Sequence, residues 1–449
     1  MLKVVIISPP FYSHSQPLLA LGEAFREAGW DTIVACDPSF ADGIRERSLR
    51  FVELTISRNA NIGSAGKTRQ PREEQERLDA FLDATRAGAV ETLLLQARHR
   101  KADMLFDPAS LREQIAALAS REHPDLWIVD QLSYGVTLAL YSLQLRFVTF
   151  NPGHPRYIPT AEDLFGIPSH WPLVFSPDPV LLEELRQLCR EVEGQFTLEF
   201  NRFLQAVSPD LPPVANAFGL ASPEAILFNY PELPTLPRRA AATVVPGVAC
   251  PVPQSIYLGC CFKIPRPDDE AGQLFKPRKG FDSAAPTILI VMGTFLAART
   301  DIIQLCIQAA LAEFPDSRII AAAGSYKNDL AALASDHVRI EEFVPQTAIL
   351  PDVDLVIHHG GNNSFTECLY YGKAMVILPF SSDQFNIAWD AEAAGLAEVA
   401  DPNTVSQKEL GGKIRAALGY ASSLLDWQGW VRLRGPAYAV QQLGKFFRT

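Results

Sequence analysis

A glycine-containing turn between a strand and a helix constrains the fold more than any other part of the chain. Residues 354–386 read DLVIHHGGNNSFTECLYYGKAMVILPFSSDQFN. The apolar run Leu355–Ile357 predicts a buried strand, and a helical pattern begins at Phe365. Gly360 and Gly361 let the backbone come close to a ligand, and the N–H groups of a helix N-terminus favour an anion. The segment therefore predicts an α/β domain that binds a phosphate or diphosphate at this turn.

Further polar residues follow at intervals that suit a nucleotide. Glu367 lies three residues after Ser364 on the first helical turn, where its carboxylate could accept hydrogen bonds from a ribose. Asp383 and Gln384 follow the next predicted strand, Ala374–Phe380. Ligands of parallel α/β sheets bind at the carboxyl ends of the strands, so we expect these polar residues to share one cleft.

The two adjacent histidines are predicted to have different roles. Side chains alternate between the faces of a strand, so His358 and His359 point in opposite directions. We expect His359 to face the cleft and His358 to be a core histidine bonded to a carbonyl.

The whole pattern resembles the donor-binding signature of the family 1 nucleotide-sugar glycosyltransferases. This group includes plant and bacterial small-molecule glycosyltransferases and the glucuronosyltransferases. The residues that match occur in one order with consistent gaps, and they are Phe343, Pro345, Gln346, His359, Gly361, Asn363, Ser364, Glu367, Asp383, Gln384 and Asn386. The resemblance implies the GT-B fold, in which two doubly wound Rossmann-like domains face each other across a cleft and a terminal helix packs back on the first domain.

The resemblance also implies a role for each donor-site residue. It places His359, Asn363 and Ser364 on the diphosphate, Glu367 on the ribose, and Asp383 with Gln384 on the sugar hydroxyls, which fits UDP-glucose better than a deoxysugar nucleotide. Phe343 stands where plant members usually have tryptophan, which leaves uridine and thymidine donors both open. The Thr294 hydroxyl could bond the donor or cap a helix. The predicted donor site comprises Thr294, Phe343, Gln346, His359, Gly360, Gly361, Asn362, Asn363, Ser364, Glu367, Asp383 and Gln384.

A histidine and an aspartate form the predicted catalytic pair. His14 lies in the predicted loop after the first strand, and Asp130 ends the predicted strand PDLWIVD, so both should face the cleft. Imidazole can take a proton near neutral pH, and a carboxylate on its other nitrogen fixes the tautomer. A solvent-exposed histidine and a turn-capping aspartate are the structural alternatives. The sequence Ser13 to Pro17 is similar to the Gly-His-x-x-Pro motif of the family, which implies the His-Asp dyad of inverting enzymes.

Alternating strands and helices in both halves predict two doubly wound α/β domains. The expected boundaries are 1–262 for an acceptor-binding domain, 263–285 for a linker rich in proline and charge, 286–430 for a nucleotide-sugar-binding domain, and 431–449 for the returning C-terminal helix. Residues 58–107 are additional to the alternating strands and helices, and their sequence predicts inserted amphipathic helices. These helices either pack on the surface or form a wall of the acceptor pocket.

The acceptor is predicted from composition alone. Residues 151–179 are rich in aromatic residues and proline, which suits an apolar pocket for a lipophilic natural product or phenolic but also a packed irregular loop. The candidate acceptor-pocket residues are Phe11, Tyr134, Tyr157, Phe165 and Trp171.

Composition and charge narrow the class of protein. A net charge of −11 argues against a nucleic-acid partner, and the seven scattered cysteines lack metal-ligand spacing. No apolar stretch approaches the ~18 residues of a membrane span. We expect a cytoplasmic protein, a monomer or homodimer, with a nucleotide sugar and a small-molecule acceptor as its partners. We expect no metal and no cofactor, because Asp352-Val353-Asp354 lies at the amino end of its strand, about 20 Å from the predicted diphosphate site.

These observations predict an inverting, metal-independent glycosyltransferase that moves a hexose from a UDP-glucose-like donor to a hydroxyl of a lipophilic small molecule. A nucleotide-sugar epimerase of the same fold is one alternative, and a non-catalytic homologue that serves as partner of another transferase is another. A nicotinamide dehydrogenase is disfavoured, because Ser8-Pro9-Pro10 follows the first strand where Gly-x-Gly-x-x-Gly would be expected.

Overall fold

Two parallel β-sheets with connecting helices form the frame of the protein. The computed structural model describes residues 1–57, 72–103, 105–160, 162–237, 253–265 and 285–447. Every strand pair in both sheets is parallel among these residues. The predicted α/β class is therefore confirmed.

The first sheet has seven strands in the order β3-β2-β1-β4-β5-β6-β7. Their bounds are β1 Lys3–Ile7, β2 Asp31–Cys36, β3 Arg50–Glu53, β4 Leu126–Asp130, β5 Phe147–Asn151, β6 Ala225–Phe228 and β7 Gln254–Tyr257.

The second sheet has six strands in the order β10-β9-β8-β11-β12-β13. Their bounds are β8 Thr287–Val291, β9 Arg318–Ala322, β10 Val338–Glu341, β11 Leu355–His358, β12 Ala374–Ile377 and β13 Glu398–Val399.

Helices cover both sheets. In the first half of the chain they are α1 Tyr12–Glu27, α2 Ala41–Glu46, α3 Arg72–Ala87, α4 Ala89–Asp103, α5 Pro108–Glu122, α6 Tyr134–Ser142 and α7 Pro179–Val207. In the second half they are α8 Gly293–Leu296, α9 Thr300–Glu313, α10 Gln346–Ile349, α11 Asn362–Tyr371, α12 Gln384–Ala393, α13 Gln407–Ala417, α14 Ala421–Arg432 and α15 Pro436–Leu443.

Continuous apolar runs explain why the central strands could be predicted. Strands β4, β8 and β12 are buried along their whole length, as expected where helices cover both faces of a parallel sheet. β7 was not predicted, because its sequence QSIY is short, half polar and only partly buried at the sheet edge.

The end of the chain returns to the first sheet. Helix α14 packs against α11 beside the second sheet, whereas α15 packs against α1. Ala439, Val440 and Leu443 of α15 enter the core that β1 and α1 share. The two sheets fall within the predicted domains, whose boundaries stay a prediction because residues 266–284 of the predicted linker lie outside the described residues.

The predicted insertion at 58–107 contacts both domains. Of this segment, residues 58–71 and 104 lie outside the described residues, and the remainder forms α3 and α4. Leu93 and Leu94 of α4 share an apolar cluster with Phe385 of α12. The Thr85 carbonyl at the end of α3 accepts hydrogen bonds from Arg299 Nη1 at 3.0 Å and Asn403 Nδ2 at 2.9 Å. The insertion thus ties the first domain to the second.

Truncating a side chain in this cluster should destabilise the protein. Leu93 is fully buried, so Leu93→Ala should lower the free energy of unfolding by about 2–5 kcal/mol through lost contacts and a cavity. The exposed Leu198 on α7 provides a matched control, and Leu198→Ala should cost less than about 0.5 kcal/mol. Urea unfolding followed by circular dichroism measures both values, and equal losses would contradict this packing role.

Candidate functional site

The turn after β11 meets the first turn of α1 across the cleft. Asn363 Nδ2 donates to the Ser13 carbonyl at 2.9 Å. In a regular helix the N–H of residue 17 would bond this carbonyl, but Pro17 has no N–H. The proline therefore frees an acceptor in the first domain, and an asparagine of the predicted phosphate turn binds it.

The neighbouring asparagine bridges the same two domains. Asn362 Nδ2 donates to the Pro152 carbonyl at 2.8 Å and to the Asn229 carbonyl at 2.7 Å. The side chain is buried, so these contacts with the first domain occupy its amide nitrogen. The structure thus places Asn362 in a domain contact, whereas the sequence analysis placed it with the donor ligands.

His14 and Asp130 form a hydrogen-bonded pair beside this contact. His14 Nδ1 and Asp130 Oδ2 are 2.9 Å apart, and Asp130 Oδ1 accepts from the Leu132 N–H at 2.9 Å. The Asp130 side chain is fully buried, whereas 19% of the His14 side chain remains exposed. The paired Nδ1 leaves Nε2 of His14 as the second, unshared ring nitrogen.

The location of His14 differs from the prediction in one respect. It lies in the first turn of α1, which begins at Tyr12, and not in a loop. The helix begins five residues before Pro17, which therefore lies inside it. A proline near the start of a helix is tolerated, and here it costs one helical hydrogen bond that Asn363 replaces.

The charge of Asp130 controls the protonation of His14. Burial alone would lower the pKa of the imidazole, but the Asp130 carboxylate, through its charge and its hydrogen bond, raises it above the ordinary value. The more distant carboxylate of Asp383 raises the His14 pKa further. His14 is thus a stronger base than an isolated histidine.

Three glycines shape the predicted diphosphate turn. Gly360 has a φ of +84° and Gly293 a φ of +74°, which are backbone conformations that favour glycine. A Cβ on Gly293 would lie 2.9 Å from Cε1 of His359, and one on Gly361 would lie 2.4 Å from its Nε2. Gly361 is also the N-cap of α11, whose first N–H groups have no partner within the helix. The glycines therefore make room for both the imidazole and an anion.

The two histidines of the turn are held neutral. Burial lowers the pKa of His359 to about 4 and, with help from the neighbouring histidine, that of His358 to about 3. His358 is fully buried, as predicted for a core residue. The predicted carbonyl contact of His358 is wrong, because its Nδ1 accepts from the Gly360 N–H at 3.1 Å and so holds the turn.

Glu367, the predicted ribose contact, pairs with Gln346 of the predicted donor site. Gln346 Nε2 donates to Glu367 Oε2 at 2.6 Å and lies 3.3 Å from Ser364 Oγ. Burial raises the pKa of Glu367 to about 8, which the hydrogen bond from Gln346 only partly offsets. Phe343 is 65% exposed on the loop after β10, so its ring is accessible to a base. Thr294 lies inside α8, whose N-cap is Met292, so it does not cap that helix.

The two predicted sugar contacts, Gln384 and Asp383, have different hydrogen-bond partners. Gln384 is buried, and its Oε1 accepts from the N–H groups of Phe380 at 2.9 Å and Ser381 at 3.1 Å. It therefore holds the loop after β12. Asp383 accepts from the His154 N–H at 3.0 Å, and burial raises its pKa despite that contact.

A buried network that the sequence analysis missed lies behind Asp383. His154 Nε2 is 2.9 Å from Asp390 Oδ2, and the Tyr230 hydroxyl donates to the same oxygen at 3.0 Å. His154 Nδ1 accepts from the Arg156 N–H, so Nε2 carries the proton that Asp390 receives. His154 and Tyr230 follow β5 and β6, and the strand-end rule that identified Asp130 could have found them too.

The predicted acceptor residues fall into three places. Tyr134, Tyr157 and Phe165 belong to one aromatic cluster with Phe196 and Phe218. The other two predicted residues lie apart from this cluster.

Phe11 and Trp171 have different neighbours. The Phe11 ring lies 6.0 Å from the His14 ring, between centroids. The Trp171 ring lies 4.9 Å from Phe385, in the cluster that joins the insertion to α12. Phe11 is therefore next to the dyad, whereas Trp171 packs at the domain boundary.

The described part of the chain shows no metal site, no disulfide and no membrane-spanning helix. No set of three His, Cys, Asp or Glu side chains there is arranged to hold a metal ion, and metal independence stays a prediction. Asp354 of the Asp-x-Asp sequence accepts from the Thr287 N–H at 2.8 Å, at the amino end of its strand. The six described cysteines are buried and unpaired. Within the described ranges, no helix has the length and apolar character needed to cross a membrane.

Comparison with known proteins places this site in a family. Residues 306–419, which include the turn and the Glu367 helix, match the family model "Erythromycin biosynthesis protein CIII-like, C-terminal domain". Over these residues the chain is a homologue of the family 1 glycosyltransferases. The predicted resemblance is confirmed for a bacterial natural-product type of this family.

Solved structures of similar fold support the GT-B assignment of this homologue. The kitacinnamycin glycosyltransferase superposes with a TM-score of 0.65 at 19% identity, covering 99% of this chain and 98% of that one. VinC, solved in complex with dTDP, superposes with a TM-score of 0.64 at 17% identity, covering 99% of both chains. The predicted GT-B fold is therefore confirmed.

A curated relative matches over part of its length. The homologue is 27% identical over 289 residues to the ugt-50 protein of Caenorhabditis elegans, which is named as a UDP-glucuronosyltransferase. The match covers 61% of this chain and 51% of that protein, so the chain spans about half of the relative's length.

The dependence of His14 on Asp130 can be measured directly. Asp130→Asn should lower the pKa of His14, because burial then acts without a neighbouring carboxylate. NMR titration of the imidazole nitrogens measures this pKa, and the signal lost in His14→Gln identifies the residue. An unchanged His14 pKa in Asp130→Asn would contradict the described pairing.

The buried Glu367 should make stability depend on pH. Its folded pKa of about 8 lies above its ordinary value of 4.5, so the folded state keeps a proton that the unfolded chain releases. Stability should therefore fall as pH rises from about 4.5 to about 8. Thermal unfolding at pH 5 and 8 should show a smaller loss for Glu367→Gln than for the wild type. The exposed Glu199→Gln on α7 should behave like the wild type, and an equal loss in all three proteins would contradict this assignment.

Proposed function

We propose that the protein is an inverting glycosyltransferase that transfers a hexose from a nucleoside-diphosphate sugar to a hydroxyl of a small molecule. The single observation that carries the proposal is the hydrogen-bonded His14–Asp130 pair next to the turn of Gly360, Gly361 and Asn363. A base and an anion-binding helix N-terminus on opposite sides of one cleft are what a direct displacement requires.

The reaction transfers one proton and exchanges one bond. Nε2 of neutral His14 removes the proton from the acceptor hydroxyl, and the oxygen attacks the anomeric carbon from the face opposite the diphosphate. The bond between that carbon and the diphosphate oxygen breaks, and the nucleoside diphosphate leaves with the electron pair. Asp130 holds Nδ1 and stabilises the imidazolium that forms.

The turn supplies the groups that meet the leaving group. The first N–H groups of α11 and the helix dipole favour the charge that develops on the diphosphate. His359 is neutral before the donor binds, so it contributes as a hydrogen-bond partner and not as a cation. Preorganised donors of this kind stabilise the leaving group without a metal ion.

The nucleoside fits between Phe343 and Glu367. The exposed Phe343 ring provides a stacking surface for the base, and Glu367 bonded to Gln346 accepts hydrogen bonds from the ribose hydroxyls. Asp383 accepts hydrogen bonds from the sugar hydroxyls, which favours a fully hydroxylated sugar such as that of UDP-glucose. A thymidine donor is the second candidate, because VinC was solved with dTDP.

The acceptor enters from the aromatic cluster near the dyad. Tyr134, Tyr157 and Phe165 group together, and Phe11 borders His14. Flat aromatic side chains suit an aromatic or lipophilic acceptor. A phenolic natural product is therefore the proposed acceptor class.

Donor binding and transfer test the proposal in two stages. UDP-glucose, UDP-galactose, UDP-N-acetylglucosamine and dTDP-glucose are compared by thermal shift, and at least one should raise the melting temperature by binding the native state. With the best donor and a panel of phenols, His14→Ala should reduce transfer by about 100-fold or more, through loss of the general base.

A matched substitution separates catalysis from folding. His123 is exposed at the C-terminal end of α5, and its φ of +47° is a conformation that asparagine tolerates. His123→Asn should therefore keep full transfer. Absence of any thermal shift would overturn the donor site. Donor binding with transfer unaffected by His14→Ala would overturn the mechanism, and sugar isomerisation without an acceptor would indicate the epimerase.

A further inference from the structure

The turn that carries Asp383 contains a residue in an unfavourable backbone conformation. The Gln384 N–H donates to the Ser381 carbonyl at 3.2 Å and closes a four-residue turn. The second residue of this turn, Ser382, has a φ of +57°, and Asp383 follows with a φ of −76°. A positive φ at this position of a turn favours glycine and is uncommon for serine. Such a conformation persists where the surrounding contacts hold it.

Two side chains of the first domain hold Ser382 in this conformation. The Ser382 N–H donates to Oε1 of Gln96 on α4 at 3.2 Å. The Tyr157 hydroxyl lies 2.6 Å from Ser382 Oγ. Ser382 is thus held through its backbone by the insertion and through its side chain by the segment that follows β5.

The packing of α4 explains why Gln96 lies opposite this turn. Leu93 precedes Gln96 by three residues and so lies on the same face of the helix. Leu93 is fully buried in the apolar cluster that includes Phe385 of α12. Because Phe385 follows Ser382 by three residues in the chain, this cluster holds the Gln96 side chain beside the turn.

Asp383 itself is in contact with the segment after β5. Its Oδ2 accepts from the His154 N–H at 3.0 Å. A Cβ on Gly153 would lie 2.5 Å from the same oxygen, so the glycine leaves room for this approach. A carboxylate can accept about four hydrogen bonds, and acceptor positions therefore remain for the hydroxyls of a sugar. The direction of these positions depends on the backbone of Ser382, the residue directly before Asp383.

We propose that Gln96 is a positioning residue for the sugar of the donor. By holding Ser382 at a positive φ, it orients the Asp383 carboxylate toward the transferred sugar. The inference rests on the proposed function, in which Asp383 contacts the sugar hydroxyls. The groups proposed to bind the base, the ribose and the diphosphate belong to other loops, so the affinity for the nucleotide itself should not depend on Gln96.

Calorimetric binding to the full-length protein separates sugar recognition from nucleotide binding. The probes are UDP-glucose with UDP, and dTDP-glucose with dTDP as a second pair. Gln96→Leu keeps most of the side-chain volume but removes the acceptor of the Ser382 N–H. It should weaken binding of the nucleotide sugar by about 5- to 10-fold, as for the loss of one hydrogen bond, and change binding of the matching nucleoside diphosphate by less than about twofold.

Two further variants assign the effect to the acceptor atom of Gln96. Gln96→Glu keeps an oxygen that can accept from the Ser382 N–H, so it should retain most of the affinity for the nucleotide sugar. Gln75 is exposed on α3, the other helix of the insertion, where it donates to Asp79 of the same helix at 2.9 Å. Gln75→Leu should therefore bind all four probes like the wild type.

The substitution Ser382→Gly tests the conformational argument. Glycine adopts a positive φ without the steric cost that serine has, so the turn should need the contact with Gln96 less. In the Ser382→Gly background, Gln96→Leu should therefore weaken binding of the nucleotide sugar by only about twofold or less. An equal loss in the Ser382→Gly and wild-type backgrounds would overturn the inference.

Failure of this inference differs from failure of the proposed function. If the wild type binds none of the four probes, the proposed donor site is wrong, and the role of Gln96 is wrong with it. If the wild type binds them but Gln96→Leu weakens the nucleotide sugar and the nucleoside diphosphate equally, or neither of them, only the role of Gln96 is wrong.

Discussion

The contact between Asn363 and the Ser13 carbonyl is the interaction on which the arrangement of the site depends. Pro17 removes one N–H from the first turns of α1, and the carbonyl that loses its partner would otherwise need water. An asparagine from the other domain satisfies it at the start of α11. The same proline thus defines where the helix bearing His14 meets the turn that is proposed to hold the diphosphate. A single missing donor thus creates a hydrogen bond between the helix of His14 and the turn after β11.

Burial changes the pKa values of the ionisable groups of the cleft in different directions. Burial lowers the pKa of both histidines of the turn and outweighs the backbone hydrogen bond to Val291 that favours a charged His359, whereas His14 gains basicity because Asp130 is bonded to it. Glu367 and Asp383 both have raised pKa values, which desolvation causes and their hydrogen bonds only partly oppose. A site that holds carboxylates in this state is prepared to exchange hydrogen bonds with hydroxyl-rich ligands, and this fits the proposed ribose and sugar contacts.

Sequence patterns predicted most of the parallel strands, because a strand buried on both faces is a short continuous apolar run bounded by turn residues. The convergence of His14 with Asp130 could also be predicted, since polar residues at strand ends converge in this topology, whereas only the family resemblance points to Gln346. Side chains that serve the domain boundary could not be predicted. Asn362 and Gln384 are both predicted donor-site residues, yet Asn362 bonds to carbonyls of the first domain whose location depends on tertiary packing, and Gln384 holds its own loop. The role of the insertion was equally inaccessible, because its partners Arg299 and Asn403 lie more than two hundred residues away in the chain.

The buried carboxylate of Asp390 has a consequence for how the two domains can separate. It accepts hydrogen bonds from His154 and Tyr230 of the first domain while belonging to α12 of the second. A small separation of the domains would remove both hydrogen-bond donors from Asp390 before water can reach its side chain, which is energetically unfavourable. Intermediate openings are therefore disfavoured relative to a wide opening that hydrates the carboxylate. The hydrogen bonds to Asp390 therefore favour the closed contact between the two domains that the structure shows.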